Sequence, residues 1–114
     1  PRVGEEEEEK ERVRVELARV VYRWTVAGTK KSLRELLAAL HVAIWAESGW
    51  TPVTRTQLRD PKKVKAFYYK AVLLVHPDKL TADADAYRKL LAAMLFNELN
   101  EGWKFFQSEL EASR

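Results

Sequence analysis

"VLLVHPDKL", residues 72–80, sets a His-Pro-Asp-Lys tetrad directly behind a run of apolar residues. Just upstream, Val64, Phe67, Tyr68, Ala71, Leu74 and Val75 recur at helical spacing, which predicts an amphipathic helix over residues 61–75 with these side chains inward. Asp60 and Pro61 suit its N-cap and first helical position, because proline lacks only an N–H that would have no partner there. Pro77 stops the helix: it disfavours helical geometry at His76 and supplies no N–H of its own. The outer face carries Lys62, Lys65 and Tyr69 at i, i+3 and i+7, flanked by Lys63 and Lys70, with no acidic residue from 61 to 75. Downstream, from about Asp85, Ala92, Phe96, Leu99, Trp103, Phe106 and Leu110 alternate in steps of four and three. That near-heptad seam predicts a second helix packed antiparallel on the first. The tetrad therefore falls at the tip of a helical hairpin.

The N-terminal half reads as helical too. Behind the acidic run Glu5–Glu9, the residues Val13, Leu17, Val20 and Trp24 form one stripe of an amphipathic helix that Gly28 can end. The acidic run either frays or suits the positive end of the helix dipole. Ser32 and Glu35 have the spacing of a capping box, and open a helix with Leu33, Leu36, Leu37, Leu40 and Ile44 on one face. Residues 46–61, rich in Gly, Pro and Thr, read as an ordered loop anchored by Trp45 and Trp50. With Trp24 and Trp103, these tryptophans are expected as core or loop anchors, and His41 as structural. The expected fold class is all-α, divided as an acidic start and N-terminal helix (1–31) and a helical domain (32–114).

Composition bounds the rest. The 114 residues are 46% hydrophobic, with four Trp, four Tyr and four Phe, enough for one packed domain. Cysteine is absent, which excludes disulfides and thiolate metal sites, and two histidines cannot build a zinc centre. No metal or cofactor is expected. No apolar run approaches the roughly 20 residues a membrane-spanning helix needs, so a soluble protein without membrane insertion is expected. The chain starts at Pro1 and reads as a fragment of something longer. The net charge of +3 conceals an asymmetry: residues 1–11 carry six Glu against Arg2 and Lys10, so the remainder is distinctly basic. A basic surface of this kind suits an acidic partner.

The tetrad His76-Pro77-Asp78-Lys79, placed between a lysine-rich helix and a helix bearing "FNELNEGWKFF" (residues 96–106), resembles the J domain of DnaJ-type co-chaperones. The preceding segment, residues 22–53, is similar to that before the same helix in auxilins, the clathrin-uncoating co-chaperones. The resemblance runs from about Arg23 to Gln107 and includes Trp24, Leu33, Leu37, Trp45, Trp50, Pro52, Val53, Leu99, Asn100 and Trp103. It implies a J-domain hairpin with an N-terminal helical extension and a long ordered loop. It also implies docking on a DnaK-type heat-shock ATPase, whose hydrolysis of ATP the domain stimulates. Carried over, Lys62, Lys63, Lys65 and Lys70 would face an acidic patch on that partner, and Lys79 would lie beside it. Asp78 would pair with a partner arginine, Pro77 would fix the turn, and His76 would hold the loop and contact the partner. Tyr69 departs from the auxilin pattern, which has Arg or Lys there; an aromatic ring can stack on a guanidinium instead. The resemblance further implies a cytoplasmic protein associated with clathrin-coated vesicles, with the coat contacted through other regions.

The residues themselves argue for docking rather than catalysis in this chain. An exposed Asp on a proline-stiffened bend is a preorganised charge for a bidentate Arg. No nucleophile, Gly-rich loop or metal cluster accompanies His76 and Asp78, so an enzyme is not expected. Two rivals differ in kind: a J domain serving another cargo, and a basic helical nucleic-acid binder, which accounts for the lysines but not for the tetrad. No nucleic-acid partner is expected. Only phosphate binding would fall steeply with salt while ignoring His76.

Overall fold

The computed structural model describes residues 3–25, 32–80 and 84–113. Among these, four α-helices carry the fold: α1 (Val3–Trp24), α2 (Leu33–Ala43), α3 (Pro61–Val75) and α4 (Ala86–Ala112). Short 3-10 turns lie at Ala46–Ser48, Gln57–Arg59 and Pro77–Lys79. The all-α expectation is met. The acidic run is helical, with Glu5 and Glu6 in the first turn of α1, where negative charge suits the N-terminal end of the dipole. α1 stops at Trp24, and the expected stop at Gly28 lies outside the described residues.

Each remaining start has a cap. Ser32 Oγ accepts from the Glu35 N–H, Asp60 from the Lys62 N–H and Asp85 from the Arg88 N–H. The helices bury their stripes in one core. Leu17, Val21 and Trp24 of α1 meet Leu33, Leu36, Leu37 and Leu40 of α2, Val64, Tyr68, Ala71 and Val75 of α3, and Leu91, Leu95, Leu99 and Phe106 of α4. Trp24 Nε1 donates to the Leu36 carbonyl at 2.9 Å, so this tryptophan fills volume and ties α1 to α2 in one contact. The α4 seam is shifted from the expected one: Leu91, Leu95 and Gly102 are buried, Phe96 and Trp103 are half-buried, and Leu110 is exposed. The buried set of α4 thus drifts around a helix that serves α1, α2 and α3 in turn, as a strict seam for one partner does not. His41 is exposed near the end of α2, so it has no core role.

The long loop is pinned at both ends. Arg88 of α4 lies over the Trp45 ring, 5.4 Å from its centroid, and reaches Glu47 at 3.6 Å. Arg34 of α2 donates to the Leu58 carbonyl at 2.9 Å while stacking over Phe106. Gly49 closes the first 3-10 turn at φ 85°, a left-handed conformation that glycine adopts without strain.

At Gly102 α4 passes close to α2. A methyl group there would sit 3.0 Å from Leu36 Cδ1 and 3.5 Å from the Leu33 Cα. Gly102→Ala should be nearly neutral, because a helix-propensity gain of about 1 kcal/mol offsets the push on Leu36. Gly102→Leu should cost about 1–3 kcal/mol by overpacking, read as a lower urea midpoint at unchanged slope. Equal midpoints for the two variants would mean that the close approach is not needed.

Candidate functional site

α3 and α4 run antiparallel, with Tyr68 at the middle of α3 beside Trp103 and His76 at its C-terminal end beside Phe96. Tyr68 and Trp103 stack face to face at 4.5 Å, and Trp103 continues onto Phe106. This aromatic ladder holds the hairpin rigid beneath its outer face. Burial, with the neighbouring Tyr69 second, pushes the Tyr68 phenol above its ordinary value of 10.0. The neutral phenol is therefore favoured by folding, and that contribution is complete below about pH 10 and lost as the pH rises further.

The tetrad forms the 3-10 turn Pro77–Lys79, and His76 serves two ends at once. Its N–H donates to the Val72 carbonyl and closes α3, while its Nδ1 accepts from the Asp78 N–H at 3.1 Å and opens the turn. The acceptor role assigns the remaining ring proton to Nε2 in neutral His76. The imidazole rests edge-on against Phe96 at 5.2 Å, a support that the sequence pattern did not single out. Lys79 N–H donates to the His76 carbonyl and Leu80 N–H to the Pro77 carbonyl, which completes the turn. Asp78 projects from it with 88% of its side chain exposed, 3.9 Å from His76 Nδ1. The carboxylate is thus held on a stiff backbone with its oxygens available to solvent.

Beside it the outer face of α3 is basic and open. Lys62, Lys63, Lys65, Tyr69, Lys70 and Lys79 are all exposed. The helix divides its part of them into two stripes, Lys62, Lys65 and Tyr69 on one and Lys63 and Lys70 on the other, with exposed Leu73 between them. Tyr69 is less free than its sequence position suggests. Its ring leans on Trp103 at 5.9 Å and on Tyr68 at 5.8 Å, with the Lys65 ammonium 5.9 Å from its centroid. The Lys70 ammonium lies over Phe67. Both lysines thus set their ammonium groups by aromatic faces while remaining exposed.

Lys62, Lys63 and Lys65 stand in the first turns of α3, at the positive end of its dipole, where cations oppose the helix. Asp60 is the one carboxylate at that end among the described residues. Folding alone does not favour three lysines there. Lys62→Glu and Lys63→Glu should each raise stability, by about 0.3–1 kcal/mol. If this face docks on an acidic surface, the same changes should slow association. A thermal melt and a stopped-flow association series on each variant check both halves.

No family model matches the chain. It is 39% identical over 103 residues to UBA domain-containing protein 7 of Schizosaccharomyces pombe, covering 90% of this chain and 15% of that protein. Auxilin-related protein 1 of Arabidopsis thaliana is 41% identical over 108 residues, covering 94% of this chain and 12% of that protein. An auxilin-like clathrin uncoating factor of Saccharomyces cerevisiae is 35% identical over 81 residues, covering 70% of this chain and 12% of that protein. The similarity extends to Arabidopsis thaliana proteins named as auxilin-like and J domain-containing. Over most of its length, then, the chain is similar to a segment of auxilin-type and J domain-containing proteins, and it spans less than a sixth of each of these three relatives.

Proposed function

We propose that the chain is the J domain of an auxilin-type co-chaperone. It lays the basic face of α3 on an acidic surface of a DnaK-type heat-shock ATPase and, through the His76-Pro77-Asp78 turn, accelerates that partner's ATP hydrolysis. The observation that carries the reading is the turn itself: an exposed carboxylate on a proline-stiffened bend, fixed by His76 at the end of an acid-free lysine helix. Such a preorganised charge suits a bidentate arginine, and the lysine field around it steers encounter. On this reading the ATP chemistry belongs to the partner, and the part of the chain is to dock and present the turn. The auxilin-related relatives, one of them named a clathrin uncoating factor, support clathrin-coat disassembly as the process served. Contacts with the coat are assigned to parts of the protein beyond this stretch, and the cytoplasm to its place of action.

The test is single-turnover ATP hydrolysis by a cytosolic DnaK-type chaperone with and without the chain. Acceleration that saturates with added chain, and that weakens as salt screens the encounter, is expected. An unchanged rate at saturating chain would overturn the reading.

A further inference from the structure

The side of α1 turned away from the core presents its own pattern. Val15 and Tyr22 are exposed there. They stand two turns apart on one stripe, with Glu8, Glu11, Ala18 and Arg19 beside them. Charge along the helix is segregated by half. Glu5–Glu9 and Glu11 occupy the first turns, whereas Arg12, Arg14, Arg19 and Arg23, with Glu16 alone against them, occupy the last. Within the helix, Glu7 meets Lys10 and Glu8 and Glu9 meet Arg12, at 3.8–3.9 Å. These side chains are well exposed, so the pairs are weak. Among the described residues no ion pair engages Glu11, Arg19 or Arg23.

We infer that this face is a self-association surface, on which α1 of a second copy packs antiparallel about a two-fold axis near Val15. A parallel alignment sets glutamates on glutamates and arginines on arginines. The antiparallel one sets the acidic turns of each helix against the basic turns of the other, and with Val15 on the axis Glu11 comes level with Arg19 of the second copy. Val15 of both copies supplies the apolar centre, and Ala18 and Tyr22 of each copy flank it on either side. The same patch serves both chains, so the contact closes at a dimer. One helix pair buries less than the roughly 1,600 Å² of a standard interface, so the dimer is weak and depends on its charges. α1 rests on α2 and α4, and its outward face points away from both. The pairing therefore leaves the outer face of α3 uncovered.

Sedimentation equilibrium of the 114-residue chain, from micromolar to millimolar concentration, tests this. A monomer–dimer equilibrium that shifts toward monomer with added salt is expected. Two charge-reversed forms follow, one with Arg19→Glu and Arg23→Glu and the other with Glu8→Lys and Glu11→Lys. Each alone should dimerise at least about tenfold more weakly than the parent, since like charges then face each other. Their equimolar mixture should recover association, because each then supplies what the other lacks. All the changed residues are exposed, and circular dichroism checks that the fold is retained. A chain that stays monomeric at every concentration in low salt overturns the proposal. So does a dimer that ignores salt, or reversed forms that associate as the parent does or fail to associate with each other.

Discussion

Asp78→Asn is expected to return the partner's ATP hydrolysis to its unstimulated rate while leaving the domain folded and its melting unchanged. The two halves of that result have separate physical origins. Within this chain the carboxylate has little to hold: it lies 3.9 Å from His76 Nδ1, and the hydrogen bond that fixes the turn comes from the Asp78 backbone N–H. Amide for carboxylate keeps shape and backbone, so stability should move by less than about 0.5 kcal/mol, as for most surface changes. Across an interface the same exchange leaves an arginine desolvated without its counter-charge, which costs about 2–5 kcal/mol. Even the lower figure corresponds to a loss of about thirtyfold or more in affinity. Single-turnover hydrolysis beside a thermal melt reads both halves, and full stimulation by the variant would remove the carboxylate from the docking role.

Trp24→Ala should be the most damaging single change outside the hairpin. The indole is nearly fully buried between α1 and α2, and its Nε1 holds the Leu36 carbonyl. Truncation of a buried tryptophan costs about 3–5 kcal/mol, a large share of the stability of a domain of this size. Leu17 and Val21 lose their neighbour at the same time, so α1 should loosen from the core along its whole inner stripe. Chaperone stimulation should persist at low temperature, because the face carrying Lys62, Lys65 and Asp78 is built on the α3–α4 hairpin. Urea unfolding and the hydrolysis assay on the same preparation separate these effects. A melting point equal to the parent's would mean that α1 contributes nothing to the fold.

How far the residues announced this arrangement differs between its parts. The helix of residues 61–75 was legible because every determinant was local: Asp60 as cap, Pro61 at the first position, Pro77 as stop. The tetrad's turn was legible for the same reason. What a periodic pattern could not show was which of two adjacent apolar stripes would be inward. Val21 and Leu95 are buried where Val20 and Phe96, one position removed, are only half so, because α1 and α4 each serve more than one neighbour. Nothing in the local sequence accounts for Gly102 in the middle of α4; only the proximity of Leu33 and Leu36 gives it a reason. The edge contact of His76 on Phe96 and the lean of Tyr69 on Trp103 join residues 20 and more positions apart. No spacing rule within one helix reaches that far.

The ladder from Tyr68 through Trp103 to Phe106 also bears on the order in which the molecule assembles. Its contacts join helices that follow each other directly along the chain, as does the Trp24 bond to Leu36, twelve residues on. An all-helical domain whose long-range contacts are mostly between successive elements has low contact order, and such domains fold in microseconds to milliseconds. Closing α3 onto α4 requires only the connection between them, so the docking turn can take shape with its own hairpin, before α1 has found its place. A chain partly opened would, on that account, regain the His76–Lys79 turn before the packing of α1 on the core.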